Sequence, residues 1–75
     1  MVVRILRANV GSVVTIEFRD GEVIEAKISS IDSDEHNDVT YEVVSVRSSG
    51  PGAGYQQGNF YQAKIADIAR VIPAS

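Results

Sequence analysis

FRDGEVIEAKISSIDSDEHND, residues 18–38, is the stretch on which the reading of this chain turns. Asp20-Gly21 is the strongest short hairpin signal, because glycine tolerates the positive φ that a tight turn requires. On its N-terminal side, residues 12–18 alternate cleanly. Val14, Ile16 and Phe18 fall on one face and Thr15 and Glu17 on the other, the period of a half-buried strand. From Glu22 the alternation resumes, with Ile24, Ala26 and Ile28 on one face and Glu25, Lys27 and Ser29 opposite. Ile31 falls on that second face, which predicts a bend or bulge near Ser29 and Ser30.

The second half of the stretch gathers Asp32, Asp34, Glu35 and Asp38 around His36, the only histidine in the chain. Asp32, Asp34, His36 and Asp38 sit at alternate positions, as the first ligands of a calcium loop do. The sixth position, however, is Asn37 instead of Gly, and the twelfth is Val43 where a bidentate Glu is needed. The flanks read as strands, not helices, so no metal site is expected. The simpler reading is a polar turn in which Asp and Asn side chains bond backbone amides.

Outward from this stretch, residues 2–9 carry Val2, Val3, Ile5 and Leu6 with Arg4 and Arg7 between them. That spacing predicts a short amphipathic helix, with Gly11 as its stop. Residues 39–47 read as a third strand, Val39, Tyr41 and Val43 pointing one way and Val44 and Val46 the other. SSGPGAGYQQGN, residues 48–59, without apolar periodicity, reads as a mobile loop with turn chemistry. Residues 60–65 form a fourth strand, a brief turn follows at Ala66 and Asp67, and residues 68–72 form a fifth strand closed off by Pro73. Five strands on so short a chain cannot build a two-layer sandwich with a real core. Bending into a small barrel is the usual answer to exposed sheet edges.

The chain has 75 residues, a formal net charge of −3 and 44% hydrophobic residues. One domain spanning residues 1–75 is expected. A domain of this size buries only about 60% of the surface of its unfolded chain. With no cysteine, neither disulfides nor a Cys-ligated metal can add stability, which leaves self-association as the common remedy. No apolar run approaches the roughly 18–20 residues that cross a bilayer, and no small-residue cleavage site follows MVVRILRANVG. A cytoplasmic protein with no membrane partner is the expectation. The acidic balance argues against general affinity for nucleic acid, so any RNA binding has to come from a local site. One histidine, no Gly-x-Ser-x-Gly elbow and no Gly-rich phosphate loop ahead of a helix predict no enzyme, no small-molecule substrate and no cofactor.

The order of elements is specific: short helix, strand, Asp-Gly hairpin, long bent strand ending in an acidic turn, third strand, loop, two short strands. Over nearly the whole chain it resembles the Sm/LSm-like family. Residues 13–44 resemble the first Sm signature, with Gly21 two residues before Val23 and Asp32 closing the long strand. FYQAKIADIARV, residues 60–71, resembles the second. Three departures stand out: Ala26 replaces a Gly in strand two, one extra residue separates Asp32 from Asn37, and Ala63-Lys64-Ile65 stands where the family has Ile-Arg-Gly.

The resemblance implies a mainly β fold, a small, strongly bent five-stranded Sm-like (SH3-like) barrel with a short N-terminal helix. It implies rings in which the fourth strand of one copy pairs with the fifth of the next, engaging Phe60, Tyr61, Ile68 and Val71. Aromatics concentrate at interfaces, which would also draw Tyr55 there. In members that bind RNA, single-stranded RNA sits at the inner rim. The matching positions are His36 for stacking on a base, Asn37 for hydrogen bonds, Lys64 for charge and Asp32 as the loop's structural carboxylate. The alternative is the same ring acting as a protein scaffold without nucleic acid. An RNA binder should concentrate its few cations at the pore; a scaffold need not.

Overall fold

The computed structural model describes residues 2–32, 37–48 and 55–74; residues 49–54 of the expected mobile loop lie outside them. An N-terminal helix, α1 (Val2–Ala8), precedes five strands: β1 (Val13–Phe18), β2 (Val23–Asp32), β3 (Asp38–Ser48), β4 (Phe60–Lys64) and β5 (Ile68–Pro73). A single 3₁₀ turn, Ile65–Asp67, joins the last two. The fold is mainly β, as expected.

The helix forms because its apolar residues lie on one stripe. Leu6 is fully buried, while Val2, Val3 and Ile5 pack against the core at its rim. Arg4 and Arg7 face solvent. Its end is made by Asn9, whose Nδ2 donates to the carbonyl of Ile5 at 2.8 Å. Gly11, expected as the stop, sits beyond it. At φ +87° it turns the chain toward β1, and its N–H donates to the carbonyl of Ile28 at 2.8 Å.

The hairpin falls where the sequence put it, with one more residue in its loop. The Phe18 N–H donates to the carbonyl of Glu22 at 2.8 Å and the Gly21 N–H to that of Phe18 at 3.1 Å. Arg19, Asp20 and Gly21 therefore form the loop, and only Gly21, at φ +97°, needs the positive-φ region. That is the three-residue hairpin with glycine in the bulge position.

All strands are antiparallel to their neighbours, in the order β4-β3-β2-β1-β5. This order and the short last turn together force curvature. Outermost strands of a flat five-stranded sheet lie about 19 Å apart. The chain from Lys64 to Ile68 spans at most about 14 Å. The sheet must therefore curl until the end of β4 approaches the start of β5. Irregularities in the β2–β3 ladder supply the bend, at Val23/Ile24, Glu25/Ala26 and Ile28/Ser30. The last leaves Ser29 out of the ladder, where the change of face predicted a bulge.

Among the described residues no register pair joins β4 to β5. The sheet is strongly curled and open, and it is not closed into the barrel that the resemblance implied. One face of the curl holds the core: Val14, Ile16 and Phe18 from β1, Ile24, Ala26 and Ile28 from β2, Val39, Tyr41 and Val43 from β3. Leu6 covers it from the helix, and Ile65, Ile68 and Val71 complete it from the C-terminal segment. Each fully buried aliphatic side chain contributes about 1.5–3 kcal/mol relative to exposure.

The phase of the ladders also fixes what each outer edge offers. The Val43 N–H donates to the carbonyl of Asn59 at 3.0 Å and the Ile65 N–H to that of Asn37 at 2.9 Å. Antiparallel partners alternate, so Tyr61 and Ala63 bond inward to β3 while the amides of Phe60 and Gln62 point to the free edge. The same count through β1, anchored by Phe18 to Glu22, turns the amides of Arg70 and Ile72 toward β1. The amide of Val71 then faces outward, Ala69 is the extra residue of a bulge in the β1–β5 ladder, and Pro73, the last residue of β5, has no donor to lose.

Candidate functional site

Asn37 and the 3₁₀ turn Ile65–Asp67 meet at one corner of the curled sheet. Asn37 takes φ +57°, a conformation that asparagine accepts more readily than most residues. Its carbonyl accepts the Ile65 N–H at 2.9 Å, so the residue that leads into β3 is tied to the 3₁₀ turn between β4 and β5. Three strands then line up their polar ends. Asp32 pairs with Asp38 across β2–β3, and Asp38 with Lys64 across β3–β4. Lys64 Nζ lies 3.8 Å from Asp38 Oδ2, the lysine side chain 59% exposed and the carboxylate 12%. An ion pair this open contributes little to stability; its consequence is electrostatic, since the exposed ammonium already faces a carboxylate.

Of the four residues expected to contact RNA, Asp32, Asn37 and Lys64 come together at this corner. His36 lies outside the described residues. The corner can offer an amide for hydrogen bonds to a base edge and one cation. Two carboxylates share the row with that cation, so recognition of a base is better served there than attraction of a phosphate.

The remaining cations are dispersed: Arg4 and Arg7 on α1, Arg19 in the hairpin loop, and Lys27, Arg47 and Arg70 on the strands. Arg70 Nη2 meets Glu17 Oε2 at 2.8 Å, and Arg47 Nη2 meets Glu25 Oε2 at 3.3 Å. Glu25 also accepts from Ser45 Oγ at 2.7 Å, and these donors hold its pKa below the usual glutamate range. Arg19 Nε donates to the carbonyl of Ala66 at 2.8 Å, clasping the 3₁₀ turn.

The residues expected at an interface divide into two groups. Phe60 is 61% exposed on the free-edge strand β4. Tyr61, next along β4, faces the other way and is half-buried; its ring meets Tyr55 edge-on at 5.0 Å. Its hydroxyl accepts the Gln56 N–H at 2.8 Å. Ile68 and Val71 are 1% and 3% exposed, their side chains inside the subunit's own core. What these two can offer a neighbour is backbone.

Sequence reasoning missed an aromatic group at the open end of the core. Phe18, Tyr41, Tyr55 and Tyr61 form it, with Phe18 and Tyr55 stacked at 6.1 Å and Tyr41 Oη 3.2 Å from Tyr55 Oη. Tyr55, expected at a subunit contact, packs on its own core. Burial, then the hydrogen bond to Tyr55, pushes the Tyr41 phenol well above its ordinary pKa. The sequence carried no signal for this group, because Tyr55 follows a Gly-rich loop without periodicity.

Compared with known proteins, the chain matches no family model, no curated protein and no solved structure.

Proposed function

We propose that this chain is an Sm-like subunit that assembles with copies of itself into a ring, β4 of one copy pairing with β5 of the next. Pairing of this kind completes the wall of a small bent barrel. The observation that carries this reading is the pair of free edges. One presents the amides of Phe60 and Gln62, the other that of Val71, and a three-residue 3₁₀ turn is all that separates them. An exposed edge is a template for another strand, and the exposed Phe60 beside it adds apolar surface to bury.

At the inner rim of such a ring the corner of Asn37 and Lys64, with His36 beside it in the chain, takes a base of short single-stranded RNA. Histidine stacks on the base, the asparagine amide bonds its edge and the lysine supplies charge. A second reading is favoured by the distribution of cations. Lys64 faces Asp38, while Arg47 and Arg70 pair with glutamates elsewhere. A ring whose cations are dispersed in this way serves as a protein scaffold without nucleic acid.

Fluorescence anisotropy with oligo-U and oligo-A at low and moderate salt separates the two. Salt-sensitive binding by the wild type that weakens in Asn37→Ala and Lys64→Ala supports the RNA reading. No binding at low salt, with the ring intact by light scattering, leaves the scaffold. A monomer by light scattering removes both.

A further inference from the structure

Between the β1–β2 hairpin and β4 lies a cleft of about 530 Å³, within the range of small-ligand pockets. Phe18 and Tyr55 give it an aromatic wall, and the carboxyl groups of Asp20 and Glu22 stand at the hairpin end. Glu22 is only 8% exposed. Burial first, and then the hydrogen bond and charge of the neighbouring Asp20, raise its pKa. The two cations that also line the cleft already face acceptors. Arg19 clasps the Ala66 carbonyl and Lys64 faces Asp38. With Asp67 on the same wall, carboxylates outnumber cations, which disfavours an anionic occupant.

A bare metal ion is not the natural occupant either, since among the described residues no three His, Cys, Asp or Glu side chains are grouped to hold one. An aromatic wall beside carboxylates suits a cation with an apolar shell. Such a cation is drawn to the ring electrons and the carboxylates together and gives up little hydration on entry. We propose that this cleft binds a small organic cation of the alkylammonium class, its charge against Asp20 and Glu22 and its alkyl groups against Phe18 and Tyr55. The site belongs to a single subunit and goes beyond the proposed RNA contact.

The test is a titration of the ¹⁵N-labelled full chain followed by amide chemical shifts, at constant ionic strength. Choline is compared with 3,3-dimethylbutan-1-ol, which has the same shape without the charge. N-acetyl-trimethyllysine amide then distinguishes a peptide-borne ammonium from a free one. The expected result is saturable shifts at Phe18, Glu22 and Tyr55, at least tenfold weaker affinity for the uncharged alcohol, and at least fivefold weaker choline binding in Glu22→Gln. Tyr55→Leu keeps the apolar bulk and removes the ring electrons, and should weaken choline at least threefold. Should Tyr55→Leu fail to fold, Glu22→Gln and the alcohol carry the test alone. Shifts that do not saturate, equal affinity for the alcohol, or choline binding unchanged in Glu22→Gln would overturn the proposal. Light scattering on the same samples reports assembly separately, so a failed titration leaves the ring reading standing.

Discussion

Glu22 and Glu25 are three residues apart on one hairpin and titrate in opposite directions. Glu25 accepts from Ser45 and Arg47, which lower its pKa, so its stabilising effect is present above the ordinary glutamate range and lost as pH falls through its folded value. Burial and Asp20 raise the Glu22 pKa. The folded state then holds that proton more tightly than the unfolded one. Its favourable contribution is present at low pH and is lost as pH rises from the unfolded to the folded value. Glu22→Gln should therefore stabilise the chain at pH 7, and the gain should shrink toward pH 4; urea denaturation at a series of pH values reads it. Tyr41 is 1% exposed, and its hydroxyl has the Tyr55 hydroxyl at 3.2 Å. Tyr41→Phe keeps the ring and removes the bond, with an expected loss of about 1 kcal/mol by urea denaturation. Neither effect was legible in the sequence. Alternation showed which side chains turn inward, but not which polar groups meet there.

At the scale of elements, strands and hairpin were legible because their signals are local. Alternation of Val14, Ile16 and Phe18 against Thr15 and Glu17 needs no distant partner to be read. The switch of face at Ile31 announced the bulge that the ladder shows at Ser29. The length of the hairpin loop was not legible, because Arg19 fits a loop or a strand end equally well. What draws it into the loop is its own N–H, which donates to the Asp67 carbonyl at 2.9 Å, a contact 48 residues away in sequence. Gly21 is different: beyond its two chain neighbours nothing lies within 4 Å of where a Cβ would stand, so the cost of a side chain is conformational. Gly21→Ala should lose about 1 kcal/mol without disturbing the fold, measured by urea denaturation with unchanged circular dichroism.

For the whole molecule, the proposed assembly rests on the open edges of β4 and β5. Gln62 directs its amide outward from β4, so Gln62→Pro removes a free-edge donor while leaving the bonds of Tyr61 and Ala63 to β3 in place. Light scattering should show the assembly fall to monomers, with the subunit still folded. An unchanged mass would count against the β4–β5 interface. Val71→Pro should act in the same sense from the other edge. It is a harsher change, because the Val71 side chain sits in the core. In the proposed ring a net charge of −3 on each copy adds repulsion, so that assembly should tighten as salt is raised from about 10 to about 150 mM. The candidate corner was half legible. Asn37 and Lys64 were singled out, but the carboxylate facing that lysine belongs to Asp38, brought there only by strand pairing.

By itself, the sequence determined the strands, the turn glycine, the inward face of β1, β2 and β3, and the helix stripe. Each is set by the steric preferences of neighbouring residues and by a period of two or 3.6. Only the tertiary structure decided the curl of the sheet, the tie between Asn37 and Ile65, the aromatic group around Tyr55 and the pairing of Lys64 with Asp38. Those depend on contacts between distant positions, where packing and charge act through space and no local pattern records them.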